Sequence, residues 1–493
     1  YLHALKEAAR LGLKVDLNIA PGWNMGGPWI TPENACRWYL QSDLVVEGPA
    51  SFQEKLPLPG VNDGYDDQQP QLGVYHQVRV PMEQADYRDT ALVAFRVPEG
   101  ADEARLRTMR EDLAAKSARQ DGNCFIPPQK VMDMPRQPWQ NEADDIVIPV
   151  DGVIDLSAKM DADGVLEWEV PEGRWVIVRT GHRKTGAKLS VPLPGQEGLE
   201  NDFFDRAGVE QMFEHSGRKL AEWAGPLAGT TLRAFCSDSF EAGYPNWTAK
   251  LPEHFKHYRG YDMTPYLPVL RGYIVGSAEI SERFLHDYRK TLGDCMADEH
   301  YRRFDELAAE YGIEIRAEPA GPSWSGTVML DSLKNLGRVH YPQGEFWLRT
   351  FVTDGQNRVS KQTASGAHIY GRRTVSAEAF TSQGSDSEGR SIHWSAYPEM
   401  LKPLADRAFC EGINHMVFHT LTSQRPQDGK PGYEYGAGTH FNPNVTWWEQ
   451  AAGPWLDYIN RCQALLQSGR FVADVLYYNG DWVPNLVSPE RVR

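Results

Sequence analysis

The chain has 493 residues, of which 41% are hydrophobic and 24% charged, the balance of a globular protein with two or three domains. A net charge of −16 argues against a nucleic-acid partner, which needs a basic patch. No apolar run reaches the ~18 residues that would suggest a membrane-spanning helix. The 15 Trp and 21 Tyr include many set beside Gly, Pro or acids, where aromatic rings can serve as platforms for sugars as well as core filling. The six cysteines (36, 124, 236, 295, 410 and 462) are scattered without a C-x-x-C, which excludes a zinc ribbon or thioredoxin-type motif and leaves one or two disulfides open.

The chain opens at Tyr1 inside a helical pattern with Leu2, Leu5, Ala8 and Ala9 on one face. It reads as a fragment of a longer protein, secreted or periplasmic in its full-length form. A short strand follows at Val15–Ala20, then the Gly/Pro-rich loop "PGWNMGGPWITPE" with Trp23, Asn24 and Trp29. From Val45 to about Glu172 the text changes to short alternating runs bounded by Pro, Gly and Asp, which predicts a β-rich insertion.

The α/β rhythm is expected to resume at Arg174–Thr180. Further strands are expected at Thr231–Cys236, Ile313–Ala317, near His340, at Thr374–Ala377 and at Ile413–His419. That gives seven strands, and one more before Tyr1 would make eight. The expected fold is therefore an α/β (β/α)8 TIM-like barrel lacking its first strand, with a β-rich insertion after the second strand. The corresponding domains are 1–44 (barrel start), 45–172 (insertion), 173–470 (rest of the barrel) and 471–493 (the start of a following β domain).

A βα barrel places its active site at the C-terminal ends of its strands. Those ends carry Trp23 and Asn24, then Asp238 and Glu241, Glu318, Glu345, Glu378, and finally His415 and His419. One acid at a strand end can simply cap the next helix. Four successive strand ends with acids call for another explanation, and Glu378 ends an apolar strand where an unused charge is costly. Carboxyls facing each other across a cleft are the equipment of glycoside hydrolysis, one donating a proton and the other activating water or attacking the sugar. The remaining acids suit a hard cation. His419 can contact a sugar hydroxyl or pack the barrel top. Tyr244 and Trp247 can border the sugar or pack the loop. H-E-x-x-H, P-loop, G-x-S-x-G and a G-x-G-x-x-G after the first strand are all lacking.

The blocks "GLKVDLNIAPGWNMGGPWITPE", "DSFEAGYPNWT", "FKHYRGYDMTPYLPVL", "GEFW", "AEAFTS" and "GINHMVFHT" resemble glycoside hydrolase family 106, the α-L-rhamnosidases. The resemblance implies inverting hydrolysis of terminal α-L-rhamnosides in a glycan or glycoside, with calcium assisting. It implies Glu241 and Glu378 as catalytic glutamates, Glu345 as a third essential acid, and Asp238 as the acid of the D-S-x-E block. Glu378 is assigned as general acid and Glu241 as base. Asp238 or Glu345 is then expected to bind calcium or sugar hydroxyls, and Trp23, Asn24, Trp247, Glu318 and His419 are the candidate sugar contacts. A sugar-binding protein without catalysis and a barrel glycosidase for another sugar, such as a glucuronidase or galactosidase, are the alternatives.

Overall fold

The structure is a computed structural model. It describes residues 1–493 except 60–85, 103–104, 108–109, 111, 119–137, 190, 241–244, 320–330, 350–358, 383, 386–387, 391, 437 and 486–493. The strands that position the site are β1 (Val15–Asn18), β2 (Arg37–Lys55), β3 (Arg88–Arg96), β4 (Val153–Asp155), β5 (Val165–Lys184), β6 (Leu232–Ser239), β7 (Glu314–Glu318), β8 (Tyr341–Arg349), β9 (Ser376–Ser382) and β10 (His415–Phe418).

Six of them form one parallel sheet in the order β1-β6-β7-β8-β9-β10. Neighbours in space are thus neighbours in chain order, with helices in the connections, the pattern of βα units. Leu17, Phe235, Ile315 and Ala317 belong to the main hydrophobic core, and Phe346, Ala377, Ala379 and Met416 to a second core. The register places the polar residues of these strands on the opposite face. Glu314 lies beside Ala234, Arg316 between Cys236 and Tyr341, and Glu345 beside Glu378. Period-two alternation along each strand therefore separates an apolar helix-facing side from a charged one.

The other large sheet is antiparallel, in the order β2-β5-β3-β4, and all its strands fall between β1 and β6 in the chain. β2 and β5 pair along almost their whole length, from Arg37↔Lys184 to Lys55↔Val165. This corrects the reading of Arg174–Thr180 as a barrel strand. That stretch is the middle of β5, between β2 and β3, so the parallel sheet has six of the expected strands among the described residues. The cause of the misreading is burial on both faces. Trp175 and Ile177 pack into a small core with Leu92, Leu166 and Trp168, while Val176 and Val178 turn to the main core. A strand covered on both sides reads as a near-continuous apolar run, the signature usually left by parallel strands. The expected boundaries at 44/45 and 172/173 both fall inside this ladder. Among the described residues, Cys36, Cys236, Cys295, Cys410 and Cys462 are free thiols.

Candidate active site

The C-terminal ends of the parallel strands bring four carboxylates together. Asp238 (β6), Glu318 (β7) and Glu378 (β9) each present an oxygen within 4.8 Å of those of the others. Glu345 (β8) stands next to Glu378 in register, on the same face of adjacent strands, where neighbouring strands are ~4.8 Å apart. Glu318 is fully buried and Glu345 is 4% exposed. The Glu378 side chain retains 18% exposure, so it is the more accessible acid.

Burial drives the Glu318 carboxyl well above its ordinary pKa, and the charges of Glu378, Asp238 and Glu345 push it further. Burial also raises Asp238, against the pull of the Ser239 N–H and the Arg316 guanidinium. The physical consequence is direct. Carboxylates this close and this dry do not all ionise, so the cluster holds a proton or a cation. Gln343 Nε2 donates to Glu318 Oε1 at 2.6 Å, while Glu318 Oε2 is buried without a hydrogen-bond partner.

Donor type and spacing fit a hard cation. Two oxygens bound to one calcium at 2.3–2.6 Å are at most about 5 Å apart, and the Asp238–Glu318–Glu378 group meets that limit. Of the expected metal ligands, Asp238 belongs to this group; Glu345 lies outside it, on the strand between those of Glu318 and Glu378.

Glu378 is held by its own strand. The residue two positions on, Phe380, takes a left-handed backbone (φ 68°) and is fully buried against Phe346, Phe418, Phe441 and Trp455. Such a conformation is strained for a bulky residue and persists only where packing enforces it. It breaks the alternation, so that Thr381 faces the same side as Glu378 and its hydroxyl donates to Glu378 Oε1. His419 completes the cradle, with Nδ1 3.1 Å from Thr381 Oγ1 and 3.3 Å from Glu378 Oε1. Burial, helped by His440, pulls His419 down to about 4, so at neutral pH the imidazole is an uncharged partner.

A second polar layer lies beneath. Arg316 contacts Cys236 Sγ at 3.0 Å and Asp16 at 3.6 Å. Arg233 makes a two-pronged pair with Asp16. His415, expected at this end, sits in that lower layer. It bonds to Ser376 Oγ at 2.9 Å, and burial followed by the two arginines takes it down to about 4.

Two expected contacts have structural roles. Trp247 is fully buried between Tyr39 (centroids 4.9 Å) and Tyr288 (6.2 Å). It is core rather than cleft, a correction with a clear cause: the "NWT" segment is a buttress. Asn246 N and Trp247 N both donate to Arg37 O, Tyr39 N donates to Asn246 Oδ1, and Tyr288 Oη donates to Asn246 O. This anchors the chain just after Glu241, which itself lies outside the described residues together with Tyr244. Asn24 is likewise buried and donates to Glu200 Oε1 at 2.7 Å. It braces the turn where Gly26–Gly27 pairs with Leu199–Glu200; a Cβ on Gly26 would lie 2.3 Å from the Leu199 carbonyl.

Trp23 lies in the loop after β1. A residue that the sequence did not single out, Tyr435, stands at the cluster, where burial and the charge of Asp238 raise its phenol. The Tyr435 ring meets His419 edge-on at 5.5 Å. The block "GYEYGAGTHFNP" offered only its aromatics and glycines as a signal. A small hollow of about 10 Å³, room for about one water, lies between Leu348 and Ser382 at the strand ends and Trp394, Thr439 and His440.

Comparison with known proteins agrees with this geometry. The profile of glycoside hydrolase family 106, described as alpha-L-rhamnosidase, matches residues 1–488. A protein of Formosa agariphila that carries the provisional name beta-glucuronidase is 35% identical over 485 residues, covering 97% of this chain and 37% of that protein. The solved structure of a rhamnosidase from Novosphingobium sp. PP1Y superposes with a TM-score of 0.80 at 25% identity, over 98% of this chain and 55% of that one. The chain therefore spans well under two thirds of either relative.

Proposed function

Because the chain belongs to glycoside hydrolase family 106, we propose that it is the catalytic region of an inverting α-L-rhamnosidase acting on rhamnose-containing glycans or glycosides. The observation that carries this reading is the convergence of Asp238, Glu318, Glu345 and Glu378 at the C-terminal ends of four successive parallel strands. The six strands are read as an arc of a βα barrel, in which that end is the catalytic one.

In the proposed reaction Glu378 is the general acid. It is partly open to solvent, and Thr381 and His419 hold it in place. Its proton goes to the glycosidic oxygen as the C1–O bond breaks, and the aglycone leaves as an alcohol. A water attacks C1 from the opposite face and gives its proton to Glu241, the base that the family resemblance assigns. Sealed Glu318 takes no direct part. It sets the charge of the cluster, and with Asp238 it would hold calcium, which leaves Glu378 to carry the proton. A bound calcium would neutralise the cluster and offer coordination to sugar hydroxyls.

The name of the Formosa relative favours a β-glucuronidase as a second reading. Electrostatics weigh against it. A uronate carboxylate would enter a group of acids, and Arg316, on the same strand as Glu318, is engaged with Cys236 and Asp16 in the layer beneath. A neutral 6-deoxy sugar meets no such repulsion. Parallel assays with 4-nitrophenyl α-L-rhamnoside and 4-nitrophenyl β-D-glucuronide separate the two. Turnover of the rhamnoside alone, lost in Glu378→Gln, is expected; turnover of the glucuronide alone refutes the proposal.

A further inference from the structure

We infer that the small hollow between the ends of β8 and β9 and the loop of Thr439 and His440 is a binding site for one resident water, held by His440, Thr439 and His393. The site lies outside the acid cluster and does not depend on which sugar is bound.

Three buried polar atoms call for it. His440 and Thr439 are each 3% exposed, and the His393 side chain is 10% exposed. Among the described residues, His440 Nδ1, Thr439 Oγ1 and His393 Nδ1 are buried with no hydrogen-bond partner. All three residues line the one hollow, whose volume of about 10 Å³ is room for about one water. Buried polar groups are nearly always hydrogen-bonded, so three such atoms around one small space imply a shared partner.

Valence decides what that partner is. The Tyr435 backbone N–H donates to His440 Nε2 at 3.0 Å. Nε2 therefore carries no hydrogen, the ring is neutral, and Nδ1 is the N–H donor. Burial, with the nearby charge of His393, takes His440 down to about 4, in keeping with the neutral ring. His393 Nε2 stands 3.4 Å from Glu434 Oε1. A carboxylate only accepts, so the His393 hydrogen belongs on Nε2 and Nδ1 is an acceptor. The Thr439 hydroxyl can do either. A cation would meet the His440 N–H, and an anion would meet the His393 lone pair. Water suits all three, because it accepts from His440, donates to His393 and shares its remaining capacity with Thr439.

The walls of the site are held by contacts of their own. The Trp394 ring packs against His440 with centroids 4.0 Å apart, and its Nε1 donates to Glu434 Oε2 at 3.0 Å. A Cβ on Gly384 would lie 2.0 Å from His393 Nε2, so glycine there lets the imidazole in. Thr439 N donates to His419 O at 3.0 Å, and Thr420 N donates to Thr439 O at 2.7 Å. The water thus ties the segment around His393 to the loop that clamps the end of β10, where His419 supports Glu378.

A high-resolution crystal structure of the wild-type chain, with anomalous data to identify any ion, is the test. One water about 2.7–3.2 Å from His440 Nδ1, Thr439 Oγ1 and His393 Nδ1 is expected. An empty hollow, an ion in place of the water, or a direct His440–Thr439 hydrogen bond that closes the space overturns the proposal. Thr439→Val keeps the shape and removes the hydroxyl. It should lose the water and about 1–3 °C in Tm, whereas Thr439→Ser should keep the water. Full water occupancy in Thr439→Val with an unchanged Tm also overturns it. Should that variant not fold, the wild-type crystal alone decides.

Discussion

Glu318→Gln should make the protein more stable at neutral pH while removing activity. Glu318 is fully buried, its carboxyl is raised by burial and by three neighbouring acids, and its nearest acid oxygens lie within 4.8 Å. Two unit charges at that distance repel by roughly 3.5 kcal/mol at an effective dielectric of about 20. Taking up a proton relieves part of this, which leaves about 1–3 kcal/mol for the substitution to recover. The sign follows from linkage. A group with a raised folded pKa contributes its full stability below the unfolded value, and that contribution is lost as pH rises through the folded value. The variant should therefore match the wild type near pH 4 and exceed it at pH 8. With an unfolding entropy of about 2.1 cal/mol/K per residue, the gain at pH 8 is about 1–3 °C in Tm for a chain of this size. Calorimetry in chelator at both pH values is the assay, and millimolar calcium should reverse the order by stabilising the wild type alone. A variant destabilised equally at pH 4 and pH 8 in chelator would refute the reasoning.

Glu378→Gln and Glu241→Gln should each lower kcat on an aryl rhamnoside by about 10²–10⁴, the usual share of a general acid or base, in steady-state assays. Thr381→Ala removes the hydroxyl that donates to Glu378 and should reduce kcat about tenfold with little change in KM, which initial-rate kinetics at varied substrate will read. His419 is held down to about 4, so it is neutral above that pH and charges below it. Activity should fall as pH drops through about 4, and His419→Gln should remove that component from the pH–rate profile. Trp247→Ala opens a cavity in the core between Tyr39 and Tyr288 and should cost about 3–5 kcal/mol in denaturant unfolding.

The carboxylates were legible because an acid set among apolar strand residues leaves a sharp local mark, as "TVSAEAF" does around Glu378. Glu318 carries the same mark, and the parallel register brings Asp238 and Glu345 to it. Trp247 and Asn24 were less legible because a Trp or Asn beside a glycine-rich loop has the same local text whether it faces sugar or braces the turn. Only the partners, Tyr39 and Tyr288 for one and Glu200 for the other, distinguish the cases. The reading of Arg174–Thr180 failed because double burial erases alternation. Tyr435 went unnoticed because only the folded loop brings its ring against His419.

Proton NMR of 4-nitrophenyl α-L-rhamnoside hydrolysis, recorded from the first turnovers, tests the central claim most directly. Inverting chemistry at the acid cluster predicts β-L-rhamnose as the first product, before mutarotation, and no product with Glu378→Gln. First release of α-L-rhamnose, or unchanged release by the Glu378 variant, would contradict the account.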